Sequence, residues 1–244
     1  PRPGETVSDG TLYTSHGGKG ANQAVAARRL GADVRLIACV GADAPGRAIR
    51  AALAAEGIGV EGVVATGEAA TGTALIVVDA EGRNQIAVAP GANRRLTVAM
   101  AEARREDFAW AEVVACQLET PLDTVAWALA EARRRGAATV LNPAPIDEGA
   151  LVHLPLVDYL TPNEGEAERL SGVAAADAAG AAHALRARGA GAVIVTLGEA
   201  GALAVSAAGE LRVPAYRVSV VDTTAAGDAF NGGHWRTKLR WVPG

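Results

Sequence analysis

The sequence contains few aromatic residues and few lysines, and it carries no excess of positive charge. Only 4% of its 244 residues are aromatic, and the formal net charge at pH 7 is −4, with acidic and basic residues interspersed. Nucleic-acid binding usually requires a basic face, and single strands also need aromatic side chains on which bases stack. We therefore expect no nucleic-acid partner.

Cysteines and long apolar runs are also scarce. The two cysteines, Cys39 and Cys116, lie in separate apolar runs without CxxC spacing, so they are interpreted as reduced, buried thiols that pack in a core. No apolar run approaches the roughly 20 residues of a membrane-spanning helix, and no charged-then-apolar leader opens the sequence. A cytoplasmic location without a membrane partner is the expectation.

Apolar residues, in contrast, make up half of the sequence, which is enough for one domain with a sizeable core. Short β-rich runs alternate with alanine-rich helical segments, the pattern of an α/β fold around a mainly parallel sheet. The strand candidates are 34–41, 113–118, 138–142, 157–162 and 192–198. Apolar spacing over 122–132 predicts a helix, with Thr120 as its cap and Pro121 in the first helical position.

One region, 72–93, breaks this alternation. Its sequence "GTALIVVDAEGRNQIAVAPGAN" predicts a strand, a Glu-Gly turn and a second strand, with no helix between them. Such a hairpin has two interpretations, a lid that projects from the α/β body or an edge hairpin without function. The sequence thus predicts one core domain with a small β appendage.

The segment "DTTAAGDAFNGG" (222–233) combines two carboxylates with a run of very small residues. The alternating residues 216–221 predict a strand, and "GDAFNGG" predicts the start of a helix. The backbone amides of Ala225, Ala226 and Gly227 would then lie at a helix N-terminus, where the dipole favours an anion such as a phosphoryl group.

Asp228 follows directly after these amides. A carboxylate beside an anion site can take a proton from an attacking hydroxyl while the amides hold the developing charge. The alternative is an aspartate that only stabilises the start of a helix.

A second glycine-rich segment, "GGKGANQA" (17–24), precedes another predicted helix. Its glycines free the backbone, while Lys19 and Asn22 project from the first turn. The segment does not match the P-loop pattern GxxxxGK[ST], because Gly20 follows Lys19, and it lacks the spaced glycines of a dinucleotide fingerprint. Sugar or polyol hydroxyls are therefore favoured as ligands, and a plain glycine turn is the alternative.

Four segments in this order resemble the ribokinases within the PfkB family of carbohydrate kinases. They are "GGKGANQA" (17–24), "QLETP" with "LNPAP" (117–121 and 141–145), "TPNEGEAE" (161–168) and "DTTAAGDAFNGG" (222–233). The resemblance implies a ribokinase-like three-layer α/β/α core with a mainly parallel sheet and a small β-sheet lid. It also implies ATP-dependent phosphorylation of the primary hydroxyl of a sugar, D-ribose in the first place, to ribose 5-phosphate.

The resemblance also implies roles for individual residues. Asp228 would be the base, and the amides from Ala225 to Gly227 would hold the γ-phosphoryl group. The residues expected to bind the sugar are Gly18, Lys19, Asn22 and Glu119. The residues expected near the nucleotide are Asn163, Thr196, Gly198 and Gly201.

Two cations are implied in the same way. Glu166 would hold Mg²⁺, through water, in agreement with an acid at the start of a helix; without the resemblance, "NEGEAE" is typical of a solvated helix start. Asp222 and the carbonyl of Thr224 would form part of a K⁺ site that orders the anion-binding amides. The lid, about 1–16 and 70–93, would pair two subunits in a homodimer.

The sequence departs from the family's pattern at both ends. Ribokinases begin with a strand that carries Asn-x-Asp, which would precede Pro1, and the closing "HWRTKLRWVPG" does not match the family's later helices. Residues 1–244 are therefore expected to form one ribokinase-like domain that lacks the N-terminal strand and C-terminal helices. The alternatives are another PfkB sugar or nucleoside kinase, and an inactive fragment that binds sugar or nucleotide.

Overall fold

The computed structural model describes residues 10–78, 84–219 and 222–236. The helices are α1 (Lys19–Arg29), α2 (Ala44–Ala55), α3 (Val98–Glu102), α4 (Arg105–Trp110), α5 (Leu122–Arg135), α6 (Glu164–Ser171), α7 (Ala178–Ala187) and α8 (Ala226–Arg236). The strands are β1 (Arg35–Gly41), β2 (Gly59–Thr66), β3 (Thr73–Val78), β4 (Asn84–Ala89), β5 (Val113–Gln117), β6 (Ala138–Asn142), β7 (Tyr159–Leu160), β8 (Ala192–Thr196), β9 (Ala202–Ser206) and β10 (Gly209–Val213). Short 3₁₀ helices cover Gly91–Arg95, Glu148–Leu156 and Gly198–Ala200.

The main sheet has the strand order β10-β9-β8-β7-β6-β5 in the described part of the chain. Strands β5 to β8 pair in parallel, and β9 and β10 are antiparallel. Strands β1 and β2 form a separate parallel pair, and β3 and β4 form a separate antiparallel pair. The predicted α/β fold with a mainly parallel sheet and a small second sheet is confirmed.

The largest apolar core packs the main sheet against its helices. Its fully buried members include Leu129, Leu141, Leu160, Leu185 and Leu203, and each such side chain contributes roughly 1.5–3 kcal/mol through its removal from water. The carboxyl ends of the parallel strands β5 to β8 all lie at one edge of the main sheet. That edge is where α/β folds place their ligands.

Helix α5 confirms the predicted apolar spacing, although its start was predicted one residue too early. Pro121 is the N-cap with φ −56° and ψ 135°, and no side chain caps the helix, so the prediction of a Thr120 cap is wrong. Because the ψ of Pro121 is extended, Pro121 lies outside the helix and is itself the N-cap, one residue after the predicted one. The helix ends at Gly136, which has φ 81°, the left-handed conformation that glycine adopts most easily.

The strand predicted over 216–221 is absent from its described part. Residues 216–219 are exposed and form no strand, and residues 220 and 221 lie outside the described residues. The prediction came from alternating apolar residues alone, whereas a strand requires a neighbouring strand with which to pair. The predicted strand 157–162 is also shortened, to β7.

The predicted hairpin is confirmed, with Thr73 opposite Ala89 in its register. Its Glu-Gly turn lies outside the described residues. At the base of the hairpin, the carboxylate of Asp43 accepts hydrogen bonds from the Thr71 amide at 2.8 Å and from the Gly46 amide at 2.8 Å. Together with a bond from the Thr71 hydroxyl, these hold the pKa of Asp43 at about 2. Asp43 therefore ties the hairpin to the start of α2.

A cavity of about 1,610 Å³ is lined by residues of both β1 and β5. Cys39 and Cys116 lie on these two strands and line this cavity. Desolvation raises the pKa of the Cys39 thiol and brings that of Cys116 to about 12, so both groups stay protonated at neutral pH. No helix among the described residues is both long and apolar enough to cross a membrane.

Candidate active site

Asp228 lies in the first turn of α8 and is 7% exposed. The helix starts at Ala226, after a turn in which Ala225 has φ 59°, a conformation that few residues other than glycine adopt. The predicted connection between 223 and 227 is therefore a tight turn that leads into a helix. The side chains around it are small, so the backbone of the turn remains open to the adjoining cavity.

The three amides of the predicted anion site differ in their hydrogen bonds. The Ala226 amide donates to the Thr223 carbonyl at 3.1 Å, so it is engaged within the turn. The amides of Ala225 and Gly227 have no backbone acceptor among the described residues. A Cβ atom on Gly227 would meet nothing within 4 Å, so the space in front of this residue is open.

Both oxygens of the Asp228 carboxylate are held by successive residues of α1. Its Oδ2 accepts a hydrogen bond from Asn22 Nδ2 at 2.9 Å, and its Oδ1 accepts one from Gln23 Nε2 at 2.9 Å. Hydrogen bonds to an ionised oxygen are among the stronger ones in proteins. The orientation of this carboxylate is therefore fixed by the start of α1.

The glycine-rich turn contacts Glu119, which follows β5. The Lys19 amide donates to Glu119 Oε2 at 2.9 Å. Gly18 has φ 98°, and a Cβ on it would lie 3.8 Å from the same oxygen. Because Asn22 also contacts Asp228, the structure brings the predicted sugar-binding residues Gly18, Lys19, Asn22 and Glu119 to the same place as the predicted base.

Asp228 lines a second, polar cavity of about 230 Å³. Its lining includes the following predicted site residues: Lys19, Asn163, Glu166, Thr196, Ala225, Ala226, Gly227 and Asp228. Gly18, Asn22, Glu119 and Thr224 line the larger cavity instead. Ala225 lines both cavities. Asp228 lines the smaller, phosphate-side cavity and accepts a hydrogen bond from Asn22, which lines the larger, sugar-side cavity.

Gly198 and Gly201 line neither of these two cavities. Gly198 has φ 56°, and a Cβ there would meet nothing within 4 Å, so its surroundings can admit a ligand. Gly201 has φ 95°, and a Cβ there would lie 2.0 Å from the Val213 carbonyl oxygen. Gly201 is therefore required for packing against the neighbouring strand, and a nucleotide contact for either glycine stays a prediction.

Asn163 and Glu166 form a capping box at the start of α6. Asn163 Oδ1 accepts from the Glu166 amide at 2.8 Å, and Glu166 Oε2 accepts from the Asn163 amide at 2.9 Å. Burial raises the pKa of the Glu166 carboxyl, although the Asn163 amide and the charge of Lys19 act in the opposite direction. A nearby cation would therefore stabilise the charged form of the Glu166 carboxyl. Its second oxygen has no hydrogen-bond partner among the described residues and could contact such a cation.

Asp222 and Thr224 lie together at the entrance to the turn. The Thr224 amide donates to Asp222 Oδ1 at 2.8 Å, and hydrogen bonds from Thr224 lower the pKa of Asp222. Both residues are exposed. The arrangement keeps a carboxylate beside the turn, and the K⁺ site stays a prediction.

Sequence reasoning missed four polar residues that are almost fully buried beside the site. They are Gln23, Asn142, Thr161 and Asn231. Each belongs to one of the four segments quoted from the sequence: Gln23 and Asn231 lie in helices α1 and α8, and Asn142 and Thr161 lie at or just after the ends of strands β6 and β7. Polar residues that interrupt such apolar runs were the signal that could have revealed them.

Comparisons with known proteins show which family the chain resembles. A family model described as pfkB family carbohydrate kinase matches residues 2–239. The ribokinase of Haemophilus influenzae is 42% identical over 236 residues, which cover 95% of this chain and 77% of the relative. A deoxyribokinase of Salmonella typhi is 36% identical over 236 residues, with the same shares of 95% and 77%.

A solved structure supports the likeness of the fold. The Arabidopsis thaliana ribokinase complexed with ribose and ATP superposes with a TM-score of 0.85 at 29% identity, over 95% of this chain and 77% of that one.

Proposed function

The chain belongs to the pfkB family of carbohydrate kinases, and on that premise we propose that it transfers the γ-phosphoryl group of ATP to the primary hydroxyl of D-ribose, giving ribose 5-phosphate. The observation that carries the proposal is the position of Asp228. Its buried carboxylate lines the cavity that contains Lys19 and Glu166, and it accepts a hydrogen bond from Asn22, which lines the cavity that contains Glu119.

In this proposal Asp228 is the general base. Its carboxylate accepts the proton of the ribose hydroxyl as that oxygen attacks the γ-phosphoryl group. The amides of Ala225 and Gly227 stabilise the charge on the transferred group, helped by the N-terminal dipole of α8. The amide of Ala226 joins them once its hydrogen bond to the Thr223 carbonyl opens.

The sugar is held by Gly18, Lys19, Asn22 and Glu119. The carboxylate of Glu119 accepts hydrogen bonds from sugar hydroxyls, and the bare backbone at Gly18 lets the sugar approach closely. The Asn22 amide nitrogen is bonded to Asp228, which leaves its oxygen as an acceptor for a hydroxyl. The same side chain therefore links sugar binding to the orientation of the base.

ATP lies against Asn163, Thr196, Gly198 and Gly201, with its γ-phosphate in the polar cavity. Glu166 fits a hydrated Mg²⁺, because among the described residues only one of its oxygens accepts a hydrogen bond and only Lys19 supplies a positive charge that acts on it. When bound, Mg²⁺ neutralises charge on the phosphates. Asp222 and the Thr224 carbonyl contribute to a K⁺ site behind the turn.

The β3–β4 hairpin acts as part of a lid, formed by about 1–16 and 70–93 on a single ribokinase-like domain over 1–244. The exposed Leu75 and Val77 on its outer face support a homodimer formed through the lid. A cytoplasmic location agrees with the reduced, protonated cysteines.

Deoxyribose is a second candidate substrate, favoured by the 36% identity with a deoxyribokinase. An assay of ADP release with ATP, Mg²⁺ and K⁺ compares ribose, 2-deoxyribose, fructose and adenosine as acceptors. The proposal predicts the highest kcat/KM with ribose. If ribose raises the melting temperature but no ADP is formed with any acceptor, the chain binds sugar without phosphorylating it.

A further inference from the structure

A closed ring of hydrogen bonds lies behind Asp228 and is almost fully buried, and three of its members, Asn142, Thr161 and Asn231, also line the polar cavity. Its side chains are Gln23, Asn142, Thr161 and Asn231, which are 0%, 7%, 1% and 2% exposed. They come from four different elements or their ends: α1, β6, the residue after β7, and α8. Buried polar groups of this kind stabilise one arrangement only when all of them are paired.

The hydrogen bonds of the ring can be followed from residue to residue. Gln23 Nε2 donates to Asn142 Oδ1 at 3.2 Å, and Asn142 Nδ2 donates to the Thr161 carbonyl at 2.9 Å. Thr161 Oγ1 donates to Asn231 Oδ1 at 2.6 Å. Asn231 lies one turn after Gly227 on α8, and Gln23 Nε2 donates back to Asp228 of the same helix, which closes the ring.

Both hydrogen-bond donors of the Gln23 side chain are in use, and its oxygen also has a partner. Its amide nitrogen carries two hydrogens, and these serve Asp228 and Asn142. Its oxygen accepts a hydrogen bond from Gln117 Nε2. If the amide were rotated by 180°, its oxygen would face the Asp228 carboxylate, so the ring permits one orientation of Gln23.

The same ring holds the backbone that precedes Asp228. Asn231 Nδ2 donates to the Gly227 carbonyl at 2.8 Å, which fixes the first turn of α8 against the end of the main sheet. The Gly227 peptide lies beside the amides proposed to stabilise the transferred group. The ring therefore fixes the proposed base and the proposed anion site relative to each other.

Helices α1 and α8 approach each other closely enough for these contacts because Gly232 has no side chain. A Cβ at Gly232 would lie 2.5 Å from the Ala26 Cβ and 2.7 Å from the Gln23 carbonyl oxygen. Any larger residue would push the two helices apart. The distance between Gln23 and Asp228 thus depends on backbone contact between the helices.

We propose that Gln23 is a positioning residue for phosphoryl transfer, which holds Asp228 in line with the sugar hydroxyl without touching either substrate. The inference rests on the proposed role of Asp228 as the base. Asn22 and Gln23 divide the two carboxylate oxygens between them, but Asn22 also lines the sugar-side cavity, whereas Gln23 is completely buried. Loss of Gln23 should therefore change kcat, and loss of Asn22 should change both kcat and the KM for ribose.

The test compares Gln23→Met and Gln23→Glu with wild type in the full chain. Methionine removes both donors, and glutamate keeps the shape but turns an oxygen toward Asp228. Because small displacements of a reacting group cost up to roughly 10²-fold in rate, we expect kcat to fall roughly 10- to 100-fold. The KM values for ribose and ATP, and the rise in melting temperature on addition of ribose, should stay close to wild type.

Three further variants make the result decisive. Thr139→Val is the matched control, because it removes a buried hydroxyl from β6, the strand of Asn142, at a position outside both cavities; its kcat should not change. Asn231→Ser opens the ring without altering Gln23, and it should lower kcat without changing the KM for ribose, because Asn231 lines the polar cavity and not the sugar-side one. It provides the test if a Gln23 variant does not fold.

Asp228→Asn separates this inference from the proposed function. If Asp228→Asn keeps wild-type kcat, the proposed base is wrong. If Asp228→Asn loses activity while the folded Gln23 or Asn231 variants keep wild-type kcat, the positioning role alone is overturned. A rise in the KM for ribose that accounts for the whole loss in kcat/KM would also overturn it, because Gln23 would then act on sugar binding.

Discussion

Helices α1 and α8 beneath the site differ from the β3–β4 hairpin at its edge in how far their side chains are buried and paired. Where α1 meets α8, Gln23 and Asp228 are buried and each polar atom of the carboxylate has a partner. On the hairpin, Leu75 is 60% and Val88 is 63% exposed. The geometry of the proposed chemistry is therefore set by the fold itself, whereas the hairpin still has apolar surface to bury against a substrate or another subunit.

The largest effect should come from Asp228, the carboxylate held by α1. Asp228→Ala removes the proposed base, so kcat should fall by roughly 10²-fold or more. The affinity for nucleotide should change little, because the nucleotide is held by other residues. Rates of ADP release and nucleotide titrations check both expectations, and unchanged turnover would remove Asp228 from the role of base.

A slightly smaller loss of kcat is expected when a side chain covers the amides of the proposed anion site. Gly227→Val places a side chain in open space, so the fold has room for it but a phosphoryl group has less. We expect a loss of about 3 kcal/mol of transition-state stabilisation, which is about 10²-fold in kcat. Gly227→Ala is the graded control and should lose less. A valine variant with normal kcat would show that these amides do not bind the transferred group.

The two faces of the hairpin should respond differently to a charge. Ile76 lines the large cavity, while Leu75, its neighbour on β3, points to the opposite face. Ile76→Glu should raise the KM for ribose several-fold. Leu75→Glu should leave kcat and KM near wild type but shift a dimer to monomers in analytical ultracentrifugation. Equal effects of the two variants on KM would contradict an inward and an outward face.

The smallest effect concerns the base of the hairpin and depends on pH. The folded state holds the pKa of Asp43 at about 2, below the ordinary value of about 3.9. Asp43 therefore adds stability above its ordinary pKa, and this contribution is lost as the pH falls from about 4 toward 2. The melting temperature of Asp43→Asn should lie below that of wild type at pH 7, and the gap should narrow from pH 5 to pH 3. A gap that widens on acidification would contradict this.

The sequence predicted the sheet and its helices better than it predicted their ends. Strand β6 matches the predicted bounds 138–142, because a strand buried on both faces leaves a continuous apolar run. The strand predicted over 216–221 was wrong in its described part, 216–219, because alternating apolar residues give no information about whether a neighbouring strand is present. The cap of α5 was wrong by one residue because Pro121 has an extended ψ.

The candidate site was predictable in part. The glycine turn, Glu119 and Asp228 follow from motifs, and the structure brings them together. The ring around Gln23 could not be predicted, because its contacts join residues 119 and 205 positions apart in the sequence. Pairings at such distances depend on how strands and helices pack, and no local pattern encodes them.

The most direct measurement is ³¹P NMR of the full chain with ATP, Mg²⁺, K⁺ and ribose, with Asp228→Ala in parallel. We predict that the wild-type chain converts the γ-phosphate signal of ATP into that of a phosphate ester on the primary hydroxyl of ribose, and that Asp228→Ala binds ribose without forming the ester. A phosphate ester at another hydroxyl, or equal formation of the ester by the variant, would contradict the assignment of Asp228.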